Sequence, residues 1–214
     1  GEGVLGLEFG APDLDSLASE LRGRGIGAGA PVEIEALETG GAEVRRWRQL
    51  ELPTSDTRGT RLAVREGEPR AGRPLAPLLA EEATAVAGLD HVVLTSADLA
   101  AVRHLYGETL GLRLALDRCF EERGLRILFF RLGGITVEVV GSLRATSASP
   151  QRDRFGGLAW RVADIPAARE RLLEQGFAVS ERRAGVKPGT WVCTVRSPTH
   201  GVPTLLIGPE FGSG

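Results

Sequence analysis

The sequence predicts an α+β fold built from tandem βαβββ units, and three observations carry this prediction. A short apolar segment followed by an acidic residue and a branched aliphatic residue occurs three times, starting near Leu5, Leu89 and Gly156. Each acidic residue opens an amphipathic helical pattern that ends at a glycine. Three strand-like segments then follow each helix. A sequence pattern that recurs in this way indicates that one structural unit is repeated three times.

Each predicted helix has a start signal, an apolar stripe and a stop signal. Asp13, Asp98 and Asp164 stand at N-cap positions, where a carboxylate accepts hydrogen bonds from free backbone N–H groups. Apolar residues recur at helical period; in the second helix these are Leu99, Val102, Leu105, Tyr106 and Leu110. Each helix ends at a glycine that supplies a left-handed conformation, namely Gly25, Gly111 and Gly176.

Nine strands are predicted after the three helices, bounded by glycine-, proline- and serine-rich turns. They cover residues 32–37, 43–50 and 61–65, then 113–120, 125–132 and 136–140, and finally 178–182, 190–196 and 204–207. Residues 1–66 are therefore predicted to form one unit and residues 88–209 two further units. Residues 67–87 carry several prolines and are predicted to be a linker.

The composition is that of an ordinary globular protein. Of the 214 residues, 42% are hydrophobic and 25% are charged, with a formal net charge of −2. This balance does not favour nucleic acid as a partner, even though Arg45, Arg46, Trp47 and Arg48 alternate basic and aromatic character. The sequence has no targeting signal and no apolar run of the roughly 18 residues that would span a bilayer. A cytoplasmic location without a membrane partner is the resulting expectation.

The second and third units resemble the two halves of the vicinal oxygen chelate superfamily, which includes glyoxalase, bleomycin-resistance and extradiol-dioxygenase relatives. The segment from Leu89 to Leu94, with Asp90 and His91, resembles the leading half, as do Leu105-Tyr106 and Leu110-Gly111-Leu112. The segment 158–164, with the turn 198–201, resembles the trailing half. The resemblance implies curved mixed sheets around a cavity, with the helices outside.

The first unit also resembles a trailing half, because Leu7-Glu8-Phe9 contains no histidine. Residues 1–66 are therefore expected to be an orphan unit whose leading partner belongs to a longer parent protein. An orphan unit leaves a sheet edge uncovered, so it should pack on residues 88–209 or on another chain. Units of this superfamily often pair across chains, which makes a homodimer an expectation too.

The superfamily resemblance implies a divalent metal held by His and Glu residues of the first and last strands. His91 and Glu138 occupy these positions in the second unit. In the third unit the position matching His91 is Gly157, and Thr204 or Leu205 stands where a glutamate would. Two protein ligands are too few for a closed site. Three interpretations stay open: His91 and Glu138 bind a metal, contact a ligand in a metal-free cavity, or form a structural hydrogen bond.

Two arginines in strands are candidates for ligand binding. Arg161 shares a face with Gly157 and Ala159 by strand alternation, so it is predicted to point into the cavity and pair with an anionic group. Arg126 shares a face with Leu128 and Phe130 and is predicted to do the same. The alternative for each is an ordinary surface arginine.

The sequence therefore supports two main hypotheses. The first is a glyoxalase-like enzyme acting on a small molecule, in which a metal polarises substrate oxygens or Glu138 acts as a general base. The second is a metal-free protein that binds or sequesters a small ligand, as bleomycin-resistance proteins do. A third reading, a purely structural dimer module, would require the cavity to be filled by side chains.

Overall fold

A computed structural model of the protein describes residues 2–37, 44–67, 84–144 and 152–210. The first unit contains β1 (Leu7–Ala11), α1 (Leu14–Gly23), β2 (Val32–Leu37), β3 (Val44–Leu52) and β4 (Leu62–Glu66). The second contains β5 (Gly88–Thr95), α2 (Leu99–Val102, continued by a π-helical segment Arg103–Thr109), β6 (Arg113–Phe120), β7 (Leu125–Leu132) and β8 (Ile135–Ser142). The third contains β9 (Arg154–Arg161), α3 (Ile165–Glu174), β10 (Ala178–Val179), β11 (Arg183–Ala184), β12 (Thr190–Ser197) and β13 (Thr204–Pro209).

The predicted helix signals are confirmed. The carboxylates of Asp13, Asp98 and Asp164 each accept a hydrogen bond of 2.9 Å from the backbone N–H three residues further on. The three predicted terminal glycines all have positive φ, at 90° for Gly25, 71° for Gly111 and 83° for Gly176. Local chemistry therefore determines where these helices begin and where they end.

The strand predictions hold with one correction. The segment 178–182 was predicted as one strand, whereas the chain forms two short strands, β10 and β11, which pair with different parts of β12. The β10–β12 pairing contains a register shift between Ala178 and Val179. Such an irregularity depends on the partner strand, so the local pattern of apolar residues does not reveal it.

Within the described residues the strands form two sheets, and the strands of each unit lie in the same order. The four-stranded sheet runs β1-β4-β3-β2, and the nine-stranded sheet contains β5-β8-β7-β6 and β9-β13-β12-β10. In each unit the first strand pairs in parallel with the last. The second and third units join through antiparallel pairing of their first strands, β5 and β9. This repeated order confirms the α+β architecture of tandem βαβββ units.

The first unit packs its helix-covered face against that of the second unit. Buried residues of both units form one apolar core, including Leu14, Leu50 and Leu62 from the first and Tyr106 and Phe130 from the second. This core positions the four-stranded sheet on the outer side of the nine-stranded sheet, away from the face that carries His91. The predicted linker lies largely outside the described residues, so the division at residues 66 and 88 stays a prediction.

An ion pair also joins the turn between β3 and β4 to the residue that precedes β9. Nε of Arg58 lies 2.9 Å from Asp153, whose side chain is only 2% exposed. A buried carboxylate needs such a partner, because its desolvation would otherwise be costly. In the described part of the chain, no helix has the length and apolar character needed to cross a membrane.

Candidate functional site

The nine-stranded sheet has two faces of different character. Val92 and Leu94 of β5 are fully buried under the helices, so the alternating residues His91 and Val93 point to the opposite face. We call this opposite side the open face. On this face the side chain of His91 can contact residues of the neighbouring strands β8 and β9.

His91 and Glu138 meet on the open face, as the sequence analysis predicted. β5 and β8 pair in parallel with Val93 opposite Glu138, which places the glutamate diagonally next to His91. Nδ1 of His91 lies 3.7 Å from Oε1 of Glu138, and both side chains are mostly buried. The parallel pairing of first and last strands thus brings together two residues that are far apart in sequence.

Asp90 is a third member of this cluster, and the sequence analysis missed it. Its Oδ1 lies 2.9 Å from Nδ1 of His91, which is shorter than the distance from Nδ1 to Glu138. The β5–β9 pairing contains an irregularity between Leu89 and His91, and Asp90 has no register partner there. A bulge can turn two consecutive side chains toward the same side of a sheet. The signal in the sequence was only the adjacency of an acidic residue to the histidine.

The carboxylates of the cluster are shifted in opposite directions. Burial raises the pKa of Glu138, the positive charge of His91 opposes this, and the charge of Asp90 adds to it. The hydrogen bond with His91 lowers the pKa of Asp90, against the effect of its own burial, and the charges of His91, Arg161 and Lys187 lower it further. Asp90 is therefore the ionised partner of His91, and Glu138 is the carboxyl that protonates more readily.

Arg161 lies beside this cluster at the end of β9. Its Nη2 donates a hydrogen bond of 3.0 Å to the backbone oxygen of Leu89, and its Nε lies 3.9 Å from Oδ2 of Asp90. Nε is buried and has no hydrogen-bond partner among the described residues. The structure thus brings Arg161 to the candidate site with one donor free.

The structure does not bring Arg126 to the site. Leu128 and Phe130, which share its face, are buried in the core under the helices and not on the open face. The guanidinium of Arg126 instead makes two hydrogen bonds, of 2.8 and 2.6 Å, to the carboxylate of Asp117 on β6. The prediction that Arg126 faces the cavity is wrong, because Leu128 and Phe130 were assigned to the cavity face when they belong to the core.

The third unit lacks the polar groups that the second unit supplies. The separation in sequence between Asp98 and Asp164 equals the separation between His91 and Gly157. The separation between Glu138 and Leu205 is one residue longer. In the sheet, Val93 lies opposite Glu138 and Ala159 lies opposite Leu205. Leu205, not Thr204, therefore holds the glutamate position. The open face here is apolar, formed by Ala159, Val192, Ile207 and Leu205.

A ligand side chain at position 157 is excluded by the backbone. Gly157 has φ of 147°, and a Cβ atom at this residue would lie 2.4 Å from the backbone oxygen of Pro203. No real Cβ atom tolerates such an approach, and the oxygen belongs to a main chain that β13 holds in place. The backbone of the third unit therefore leaves no room for a histidine at position 157.

The residues present do not fit the metal site that the resemblance implied. Nδ1 of His91 already faces Asp90 and Glu138, while the two positions on the third unit carry Gly157 and Leu205. Across the described ranges, no three His, Cys, Asp or Glu side chains form a group able to hold a metal ion. Zinc and related ions normally take at least three protein ligands, which these residues do not supply.

Comparison with known proteins agrees with this architecture. Residues 90–194 match the family model of the Glyoxalase/Bleomycin resistance protein/Dioxygenase superfamily. A curated relative, the ethylmalonyl-CoA/methylmalonyl-CoA epimerase of Cereibacter sphaeroides, is 27% identical over 135 residues, which represent 59% of this chain and 91% of the relative. This relative spans the second and third units in length, not the whole chain.

Two solved structures share the fold. The methylmalonyl-CoA epimerase from Mycobacterium tuberculosis has a TM-score of 0.51 at 24% identity, covering 64% of this chain and 95% of that one. A variant of the Streptomyces coelicolor methylmalonyl-CoA epimerase, in complex with 2-nitronate-propionyl-CoA, has a TM-score of 0.50 at 22% identity, covering 61% and 99%. At these identities the structures establish the fold alone. Residues 90–194 are therefore similar in sequence to the glyoxalase/bleomycin resistance protein/dioxygenase superfamily, as the sequence analysis predicted.

Proposed function

We propose that this chain is a glyoxalase-like enzyme that moves a proton at a carbon next to a carbonyl group, with Glu138 as the general base. One observation carries the proposal. A mostly buried carboxylate with a raised pKa lies beside a histidine on the open face of a superfamily fold. Raised carboxyl pKa values bring a base closer to the operating pH and therefore strengthen proton transfer.

The proposed step needs only groups of this chain and the substrate. The carboxylate of Glu138 accepts the proton from the substrate carbon, and the electron pair of the broken C–H bond moves onto the carbonyl oxygen. Return of the proton from Glu138 to the carbon restores the ketone or thioester. Exchange of that proton with water before its return labels the substrate carbon with solvent hydrogen.

His91 and Asp90 are proposed to fix the position of this base. The ionised carboxylate of Asp90 only accepts hydrogen bonds, so Nδ1 of His91 carries the hydrogen between them. The imidazole then stays in one orientation beside Glu138. Arg161, whose side chain is 38% exposed, is proposed to pair through its terminal nitrogens with an anionic group of the substrate, such as a carboxylate.

The substrate class is proposed from the chemistry of the open face and from the relatives. The half formed by the second unit is polar, whereas Ala159, Val192, Leu205 and Ile207 form an apolar half. An acyl group with a carboxylate, as in the methylmalonyl-CoA named for the relatives, has both characters. Its α-carbon lies next to the thioester carbonyl, whose oxygen can accept the electron pair of the broken C–H bond. Acyl-CoA esters of this kind are therefore the first substrates to test.

The experiment measures incorporation of deuterium from D₂O into methylmalonyl-CoA and related acyl-CoA esters by mass spectrometry, relative to exchange without protein. We expect the wild-type protein to accelerate the exchange. With Glu138→Gln the rate should be lower by about 100-fold or more. Glu122→Gln removes an exposed carboxylate elsewhere and should leave the rate unchanged. Equal rates for wild type and Glu138→Gln would refute Glu138 as the base. Absence of any acceleration would refute this substrate class.

A further inference from the structure

A cavity lies on the helix-covered face of the third unit, on the opposite side of the sheet from Glu138. It has a volume of about 360 Å³ and lies between α3 and strands β9, β12 and β13. Trp160, Phe177, Val195 and Leu206 form its apolar walls, and Ala168 and Arg171 of α3 line it from the helix side. This volume falls within the range of small-molecule sites, roughly 300–1,000 Å³.

The equivalent space in the second unit is filled. Counting from the N-cap aspartates Asp98 and Asp164, the residue that matches Ala168 is Val102 and the residue that matches Arg171 is Leu105. Val102 is fully buried and Leu105 is 5% exposed, and both pack in the main core. The third unit therefore has a smaller side chain and a cation where its sister unit has two apolar side chains.

Arg171 is a cation without a partner in this cavity. Its Nε is buried and has no hydrogen-bond partner in the described part of the chain. The side chain as a whole is only partly buried, and its terminal nitrogens are not among the buried atoms. Arg169 of the same helix pairs with the carboxylate of Glu181, whereas Arg171 has no such partner among the described residues. A ligand in the cavity that supplies an acceptor would provide one through the terminal nitrogens of Arg171.

We propose that this cavity binds an apolar monocarboxylate, with the hydrocarbon part between Trp160 and Phe177 and the carboxylate on the guanidinium of Arg171. The apolar walls contribute affinity by removing the hydrocarbon of the ligand from water. The guanidinium supplies a charge-assisted hydrogen bond that selects an anion over a neutral molecule of equal size. Because the site lies on the other face of the sheet, its occupation is independent of the proposed proton transfer at Glu138.

Isothermal titration calorimetry with octanoate, and with 1-octanol as the neutral molecule of equal length, tests the proposal. We expect the wild-type protein to bind octanoate more tightly than octanol. In Arg171→Leu, which restores the residue of the second unit, octanoate should bind about tenfold more weakly, equivalent to about 1.4 kcal/mol, while octanol binding persists. Arg171→Lys keeps the positive charge and should retain part of the preference for octanoate.

Two further variants separate the cavity from other surfaces. Ala168→Leu fills the cavity and should abolish binding of both molecules, with circular dichroism melting to verify that the variant is folded. Arg103→Leu removes an exposed arginine from the equivalent helix of the second unit and should change neither affinity. The proposal is overturned if the wild-type protein binds neither probe, if Arg171→Leu binds octanoate as tightly as wild type, or if folded Ala168→Leu still binds.

Discussion

The two halves of the nine-stranded sheet share one strand order but differ in what they place on the open face. The second unit presents Asp90, His91 and Glu138, while the third presents Gly157 and Leu205 at the matching positions. On the helix-covered face the difference is reversed, because the second unit is filled with apolar side chains and the third carries Arg171 beside a cavity. The two halves therefore differ in polarity at matching positions on both faces.

This difference shows that the fold does not require symmetric chemistry. The strand order and the β5–β9 pairing depend on backbone hydrogen bonds and on apolar packing, which both halves supply. The reactive groups depend on single side chains at register positions, which only one half supplies. Similarity to a superfamily therefore indicates the scaffold, while the function has to be argued from the residues of the site.

The largest expected effect comes from transferring the arginine of the third unit into the second. Leu105→Arg would replace a side chain of the main core that is only 5% exposed by a guanidinium, beside a cavity that is lined by Arg24, Asp56 and Arg58. We expect the free energy of unfolding to fall by about 3–5 kcal/mol, measured by urea denaturation. The reciprocal change, Arg171→Leu, should be neutral or stabilising. Equal losses for both variants would show that the two helix faces are packed alike.

The next effect concerns the backbone difference at the open face. Gly157→His, which would complete a second histidine position, forces a left-handed residue against the oxygen of Pro203. We expect it to lower the free energy of unfolding by about 3 kcal/mol, combining backbone strain and overpacking. Gly10→Ala is the matched control, because a Cβ atom there meets nothing within 4 Å. A fully stable Gly157→His variant would mean that β13 shifts easily.

The smallest expected effect is a difference in pH dependence between the two carboxylates of the cluster. Burial raises the pKa of Glu138 above its ordinary value of 4.5, so the folded protein holds this proton more tightly than the unfolded chain does. Below that value both states are protonated and Glu138 has no effect on stability. As pH rises through the raised pKa, stability falls, because the folded state must carry a buried charge. Glu138→Gln should therefore be more stable than wild type at neutral pH.

Asp90 should behave in the opposite way. Its pKa is lowered by the hydrogen bond with His91, so its contribution to stability is present above its ordinary value of 3.8 and is lost as pH falls through the lower folded value. Asp90→Asn is expected to be less stable than wild type at neutral pH, with the difference shrinking in acid. Thermal melts of both variants across the acidic range would measure this, and changes of the same sign would contradict the opposite pKa shifts.

The candidate site could be predicted in part because its signals are local. His91 and Glu138 stand out in the sequence as polar residues in apolar strands, and the repeated phrase assigns them to the first and last strands of one unit. Asp90 could not be assigned in the same way, because strand alternation places it on the face opposite to its neighbour. Only the irregular β5–β9 pairing brings its carboxylate to His91.

For Arg126 the sequence predicted the wrong face of the sheet. The sequence indicates correctly that it shares a face with Leu128 and Phe130, but alternation within a strand does not say which face is covered by helices. The same ambiguity applied to Arg161, where the prediction agreed with the position that the structure gives it. The deciding information is the packing of α2 and of the first unit against the second, which is a long-range property.

The sequence by itself determined the repeated unit, the helix limits and the strand pattern, because these depend on aspartate caps, terminal glycines and the period of apolar residues. Only the tertiary structure decided which face of each strand is open, that Leu205 matches Glu138, and that Gly157 has no room for a side chain. These properties depend on register and packing between strands distant in the chain. Local propensities leave such relations undetermined, because a shift of one residue exchanges the two faces of a strand.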